Sequence, residues 1–444
     1  MQKKIYLIGI GGIGVSAVAR YYLSQGWQVF GSDKNASELI EKLRTEGCDI
    51  IIGGDRNRID TTFNLIVYSE AVPKTQEELE KATELAVKTL KYNEALAEIA
   101  NDKKLIAISG THGKSTTTSL ISLILKNSEE NFYSVVGTLL KEFEGKNFFG
   151  RPSEDKNTYF SIEACEYKEH FLLYSPLVLV ITNIDFDHAD YFHTPERYIE
   201  AFEKMIEKVR SWGFVVFSAE DSNAQKLVGK RKDIEYIAVT QNGYMYHGKI
   251  FSFPKIDMQI PWDHILLDAK LAYVVAHMIG ISDDSIIKTL ENYRGVWRRM
   301  ELIGNTENGN ILMSDYGHHP TEISVTLKAL KEGYPEKKLF VVFQPHQYSR
   351  TLELLEWFKN CFSDADTLII PNIYESRDTQ EDKQKINSQK LVEGIHHPNV
   401  QNGDGLENTL KLLEEYDTKN PNSSIILLQG AGDIDTLRYK IKTR

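Results

Sequence analysis

The sequence predicts an α/β protein of three domains, and three observations carry that expectation. Its 444 residues are enough for about three domains of ordinary size. Two apolar runs, Ile5–Ile8 and Lys104–Ile108, each break into a glycine-bounded turn and then open a helix. A strand, a tight turn and a helix in that order form the unit from which parallel, nucleotide-binding sheets are built.

The first unit reads Ile5-Tyr6-Leu7-Ile8, then Gly9-Ile10-Gly11-Gly12-Ile13-Gly14, then a helix through Ala17–Tyr21. This satisfies the fingerprint Gly-x-Gly-x-x-Gly, whose glycines let the backbone approach a pyrophosphate at a helix N-terminus. A second strand, Gln28–Gly31, leads to Ser32 and Asp33, about where an acidic ribose-binding residue falls. The physics selects a diphosphate and leaves the rest of the ligand open. Taken alone the segment suggests NAD, but any nucleotide diphosphate, a UDP-sugar included, can occupy such a helix N-terminus, and a purely structural glycine turn is the plain alternative. Leu65–Tyr68 is a further strand ending in Ser69 and Glu70, and a helix over Asn93–Ile99 precedes the polar linker Asn101–Lys104. The first domain is expected to close there, near residue 101.

The second unit is Lys104-Leu105-Ile106-Ala107-Ile108-Ser109, then Gly110-Thr111-His112-Gly113, then Lys114-Ser115-Thr116 opening an apolar helix. Glycines wrap an anion, the helix N-terminus attracts it, and Lys114 adds a full charge. The Ser115 hydroxyl stands where a phosphate-bound Mg²⁺ finds an oxygen ligand. The loop is shorter than a Walker loop, because Ile108 occupies the position of the usual first glycine. An ordinary strand-to-helix turn with a solvated Lys114 is the bland reading. Two phosphate-type loops on one chain suit an enzyme that joins a nucleotide-linked substrate to ATP chemistry.

Two later strands are expected to bring carboxylates to that loop. Tyr159–Ala164 carries Glu163 near its end, and the apolar run Leu177–Asn183 ends in Asp185, Asp187, His188 and Asp190. Ligands bind outside the carboxyl ends of parallel strands, so Glu163 and the Asp185–Asp190 cluster should converge on the phosphates and hold Mg²⁺. Loop and cap roles are the alternative for the aspartates.

Composition narrows the class. With 41% apolar and 26% charged residues the chain reads as globular. A formal net charge of −11 argues against a general nucleic-acid binder. Cys48, Cys165 and Cys361 are far apart, fit no metal spacing and suit a reducing compartment. With neither a signal segment nor an apolar membrane-spanning run in view, a cytoplasmic protein without membrane insertion is expected.

At this point the motifs carry a family resemblance. Gly110-Thr111-His112-Gly113-Lys114-Ser115-Thr116-Thr117 resembles the ATP loop of the Mur ligases, the amide-forming enzymes of peptidoglycan precursor synthesis. Further similar stretches are Glu163–Tyr167, Thr182–Asp185 with Asp187-His188, and Gly295–Glu301. So are Asp315–Ile323, Phe343–Thr351 and Gly430–Ile434. The N-terminal Gly9–Gly14 turn is similar to that of the member that adds the first amino acid, L-alanine, to UDP-N-acetylmuramate.

The resemblance implies a Rossmann-like UDP-sugar-binding domain over 1–101, a central P-loop-type ATPase domain with a parallel-rich sheet over 102–299, and a Rossmann-like C-terminal domain over 300–444. It implies small-molecule substrates (UDP-N-acetylmuramate, L-alanine and ATP) with Mg²⁺, and a monomer or homodimer. Gly11, Gly12, Gly14, Ser16, Ser32, Asp33 and Ser69 are the implied UDP-sugar residues. Gly110, Thr111, His112, Gly113, Lys114, Ser115, Thr116 and Asp315 are implied for ATP, and Ser115, Glu163 and His188 for the metal. Lys114, Glu163, His188, Arg299, His346 and Arg350 are the implied catalytic set. The chain departs from the family pattern in three places. Ser115 replaces the usual threonine, and Gly53-Gly54 stands where Gly-His is usual. The adenine-associated His-Asn-x-x-Asn-Ala reads His264-Ile265-Leu266-Leu267-Asp268-Ala269. Competing readings are a recycling ligase that attaches a whole peptide to the same sugar, an NAD-dependent oxidoreductase, and an inactive nucleotide-binding regulator.

Overall fold

A computed structural model describes residues 2–151, 155–258, 263–293, 295–376 and 378–444, with the backbone alone at Lys141, Asp263 and His264. The chain forms two compact units. One comprises Met1–Asp185, Tyr198–Pro261 and Ile265–Tyr293, and the other Phe186–Arg197, Trp262–His264 and Arg294–Arg444.

The first unit contains two sheets. Strands β1 (Lys4–Ile8), β2 (Gln28–Asp33), β3 (Asp49–Ile52), β4 (Leu65–Tyr68) and β5 (Thr89–Lys91) form a five-stranded sheet in the order β3-β2-β1-β4-β5. All of its pairings are parallel. The order reverses between β1 and β4, and the glycine turn leaves β1 at that switch point, where open α/β sheets bind ligands. Helix Ile13–Ser24 follows the turn.

The larger sheet of this unit is built from β6 (Lys104–Ser109), β7 (Phe132–Leu140), β8 (Lys146–Gly150), β9 (Tyr159–Glu163), β10 (Val178–Ile181), β11 (Phe214–Ser218), β12 (Glu235–Val239), β13 (Gly243–Tyr246) and β14 (Lys249–Ser252). Their order is β14-β13-β12-β11-β10-β6-β9-β7-β8. The six central strands, β12 through β7, pair in parallel, and antiparallel hairpins close both edges. Strand β6 lies in the middle because its side chains suit a doubly covered position. Leu105, Ile106, Ala107 and Ile108 are all fully buried. Its neighbours β9 and β10 end in Glu163 and the Thr182–Asp185 segment, so both flank the loop that follows β6.

In the second unit, β15 (Glu301–Asn305), β16 (Ile311–Asp315), β17 (Lys338–Phe343), β18 (Thr367–Ile370), β19 (Val400–Asn402) and β20 (Ser424–Gln429) form a six-stranded sheet ordered β15-β16-β20-β17-β18-β19. Only β15 runs antiparallel. Apolar clusters cover both faces, one around Phe343, Leu330 and Leu368 and the other around Phe340, Leu413 and Ile426. The carboxyl ends of β16, β20 and β17 bring Asp315, Gly430 and Gln344 to one rim.

Candidate active site

In the first sheet the glycine turn is shaped from inside. Gly9 and Ile10 donate their N–H groups to Ser32 O at 2.8 and 3.1 Å, with Gly9 at φ +77°. Gly12 heads helix Ile13–Ser24 without a side-chain cap, leaving the first-turn N–H groups to an anion. A Cβ at Gly14 would stand 2.7 Å from the Tyr92 ring, so this glycine lets the helix end pack against Tyr92. The Asp33 carboxylate accepts the Gly11 N–H at 2.8 Å. It thus braces the loop. The Ser16 hydroxyl donates to Ile13 O at 2.8 Å, and the Ser32 hydroxyl to Glu78 Oε2 at 3.1 Å. Both serines are buried, so they support the loop from behind. Ser69 packs on its other side, with Cβ 3.0 Å from where a Cβ on Gly9 would lie.

The phosphate loop after β6 is bound more tightly. Gly110 has φ +132°, and a Cβ there would lie 2.1 Å from Thr182 Oγ1, so only glycine fits. Gly113 adopts φ +80° and is the N-cap of helix Lys114–Asn127. The Asp268 carboxylate sits 2.5 Å from where its Cβ would be. Thus one position of the altered adenine-type segment packs against the phosphate loop, whereas Ile265 is buried in the core. The His264 side chain lies outside the described residues.

Lys114 Nζ caps the loop, donating to the carbonyls of Gly110 and of Thr111, the latter at 3.0 Å, and lies 3.2 Å from Glu166 Oε2. Burial works against the charge on Lys114, but the carboxylates of Glu166 and, more weakly, Glu163 outweigh it, and its pKa is raised. Glu166 is buried, and nothing in its local sequence pattern marks it as a partner of Lys114. Its only signal is membership of the Glu163–Tyr167 stretch. Ser115 and Thr116 occupy the first turn of the helix, each 7% exposed. One strand away, Glu163 Oε1 accepts the Gly137 N–H at 2.7 Å. On the other side, Asp185 accepts Thr111 Oγ1 through its carbonyl at 2.5 Å, and its Oδ2 lies 3.2 Å from His112 Nε2.

The expected acidic cluster divides between the two units. Asp185 stays with the phosphate loop, whereas Asp187, His188 and Asp190 belong to the unit built on the third sheet. There Arg350 Nη2 donates to both oxygens of Asp187, at 2.7 and 2.6 Å. Burial opposes the charge on Asp187, but the Arg350 guanidinium and then the nearby histidines hold its carboxyl well below the usual range. His188 takes left-handed φ +54°, donates its N–H to Asp187 Oδ1 at 2.7 Å and points Nε2 to within 3.9 Å of Asp187 Oδ2. His346 stacks on Tyr374 at 5.5 Å and lies 6.0 Å from the ring of His318. Burial and the Arg350 charge push the His318 pKa well down, favouring a neutral ring.

Arg299 lies 5.0 Å over the Tyr316 ring and 3.7 Å from Glu322. Its turn is pinned by Arg298, which is buried and donates to the carbonyls of Gly430 and Gly432. Asp315 is 4% exposed and accepts the N–H groups of Met300 at 3.0 Å and Gly317 at 2.8 Å. Its carboxylate therefore ties the Arg299 turn to the turn that carries His318 and His319. Arg298, Met300 and Gln347 all have positive φ without being glycine. Such strain gathers where the surroundings fix a functional geometry.

This arrangement has recognisable counterparts. Residues 4–104 match the family described as Mur ligase family, catalytic domain, residues 108–258 the Mur ligase middle domain, and residues 298–432 the Mur ligase glutamate ligase domain. The chain is 35% identical to a UDP-N-acetylmuramate–L-alanine ligase of Clostridium acetobutylicum, over 98% of this chain and 96% of that one. It is 36% identical to an enzyme of the same name from Alkaliphilus metalliredigens, over 97% and 95%. Among solved structures, the UDP-N-acetylmuramate-alanine ligase of Thermotoga maritima superposes with a TM-score of 0.78 at 24% identity, covering 98% of this chain and 97% of the other. A murein peptide ligase from Psychrobacter arcticus gives 0.72 at 19% identity, with 99% and 98% covered. Three domain matches in order, with near full-length identity above one third, settle the relationship: the chain belongs to the Mur ligase family.

Proposed function

We infer that this protein is an ATP-dependent acid–amino-acid ligase that joins L-alanine to UDP-N-acetylmuramate in peptidoglycan precursor synthesis. The observation that carries the reading is a lysine-bearing phosphate loop in a chain that matches L-alanine ligases from end to end. A carboxylate is a poor acyl donor, so ATP is used to make it a good one. The muramyl carboxylate oxygen attacks the γ-phosphorus, ADP leaves, and the alanine amine then displaces inorganic phosphate from the acyl phosphate. The protein's part is alignment and charge neutralisation.

The roles proposed for the residues are these. Gly110, Thr111, His112 and Gly113 shape the ATP loop, Lys114 steadies the transferred phosphate, and the amides of Ser115 and Thr116 face its oxygens. Ser115 and Glu163 offer the hard oxygen donors that suit Mg²⁺, and His188 is proposed as a further ligand. When bound, the ion neutralises phosphate charge. Gly11, Gly12 and Gly14 surround the UDP diphosphate and leave it room at the open helix start, Asp33 and Ser69 border it, and Ser16 and Ser32 hold the loop. Arg299 contacts phosphate, and Asp315, which fixes its turn, takes part in binding ATP. His346 and Arg350 meet the reacting carboxylate or the amino acid.

We further place domain boundaries at 1–101, 102–299 and 300–444, supported by three separate sheets. We also propose a cytoplasmic enzyme acting as a monomer or homodimer. Among the described residues no helix is long and apolar enough to cross a membrane.

The deciding assay is ADP release with UDP-N-acetylmuramate, ATP, Mg²⁺ and single amino acids. Release should depend on L-alanine. Release that requires a peptide instead would favour the recycling ligase, and no release would favour an inactive regulator.

A further inference from the structure

The phosphate loop has four residues between β6 and Lys114, and something other than its own length must hold its shape. Its bracing comes from the end of the neighbouring strand β10. Asn183 Oδ1 accepts the His112 N–H at 3.0 Å, and Asn183 Nδ2 donates to the His112 carbonyl, also at 3.0 Å. One side-chain amide therefore reads both backbone groups of a single loop residue, as a strand neighbour does. The Asn183 carbonyl also accepts the Thr111 N–H at 3.1 Å. Thr182 Oγ1 donates to the His112 carbonyl and also lies 3.3 Å from Ser109 O, its single proton serving one or the other.

These bonds have a consequence for the ligand. An N–H already committed to a well-aligned protein acceptor is not offered to a phosphate oxygen. The Thr111 and His112 amides are committed in this way, so they cannot wrap an anion as the amides of a longer loop can. The amides without an intrahelical partner at this helix start are those of Gly113, Lys114, Ser115 and Thr116. We infer that Asn183 is a positioning residue that holds the shortened loop and confines phosphate binding to the Gly113–Thr116 amides and Lys114. This rests on the ligase reading above, because it describes how that enzyme's ATP loop is held.

The test is steady-state kinetics with each of the three substrates varied in turn, on Asn183→Ala and the isosteric Asn183→Asp. The aspartate keeps an acceptor for the His112 N–H but sets a second acceptor against the His112 carbonyl. Both variants should raise the KM for ATP about tenfold or more while the KM values for UDP-N-acetylmuramate and L-alanine stay within about twofold. A merely structural role would not separate the substrates, nor make an isosteric change as harmful as truncation. If neither variant folds, Thr182→Val, which removes one hydroxyl from the same carbonyl, carries the same expectation. An unchanged KM for ATP, or an equal rise for all three substrates, overturns the inference. Lys114→Ala serves as the control. If it too leaves ADP release intact, the ligase reading fails, whereas an inactive Lys114→Ala beside unaffected Asn183 variants removes the positioning role alone.

Discussion

The two glycine-rich loops of this chain share one local design and differ in what holds them. Both leave a buried parallel strand and open a helix without a side-chain cap. The turn after β1 contains no charged residue and is shaped by groups behind it, the Ser32 carbonyl and the Asp33 carboxylate. The turn after β6 carries Lys114, paired with buried Glu166, and is gripped by Asn183 and Thr182 from the next strand. On the proposed division of substrates, a diphosphate that only needs to be held is met by a helix start without a placed charge. A phosphoryl group that must be transferred calls for a placed charge and a rigid frame around it.

The comparison can be broken at its glycines, where the largest effect is expected. Gly110→Ala meets both a positive φ and a Cβ only 2.1 Å from Thr182 Oγ1. Its kcat/KM for ATP should fall about a thousandfold, or roughly 4 kcal/mol, with UDP-sugar binding nearly unchanged. The matching change in the other loop, Gly14→Ala, pushes against the Tyr92 ring at 2.7 Å, a neighbour that can shift. Calorimetry should show UDP-N-acetylmuramate binding weakened about thirtyfold, near 2 kcal/mol, and ATP binding untouched. Crossed effects in either variant would mean the loops do not divide the substrates.

A smaller effect sharpens the role of charge. Glu166→Gln removes the carboxylate beside Lys114, and kcat should drop about tenfold, or roughly 1.4 kcal/mol. The same change should alter alkaline stability. The folded pKa of Lys114 lies above its unfolded value, so its contribution is fully present below about pH 10.4 and fades as pH rises through the folded value. Thermal unfolding of Glu166→Gln should therefore lose less stability between pH 9 and 11 than the parent protein does. Identical pH profiles would show that the pair contributes nothing.

Much of this architecture is legible in the sequence because its signals are local. The run Lys104–Ile108 and the glycines that follow announce strand, turn and helix within fifteen residues, and so do Ile5–Gly14. What the sequence leaves hidden depends on contacts between distant segments. Nothing near Glu166 says that it will meet Lys114, because that pairing arises only when β9 lies beside β6. Asn183 reads as the end of an apolar strand until β10 takes its place on the other side. Ser16 and Ser32 match a ligand-binding pattern by position, yet burial turns their hydroxyls to internal acceptors. The Asp185–Asp190 run looks like one cluster, but the chain passes from one unit to the other between Asp185 and Phe186.

The central claim is that one loop holds the UDP-sugar while Lys114 in the other acts on the phosphoryl group. Titration calorimetry of Lys114→Ala with UDP-N-acetylmuramate and with ATP tests it most directly. The account predicts UDP-sugar affinity within about twofold of the parent and ATP affinity lowered by about tenfold or more, with turnover abolished. An equal loss of affinity for both ligands would place the lysine in the wrong site and contradict the division of labour.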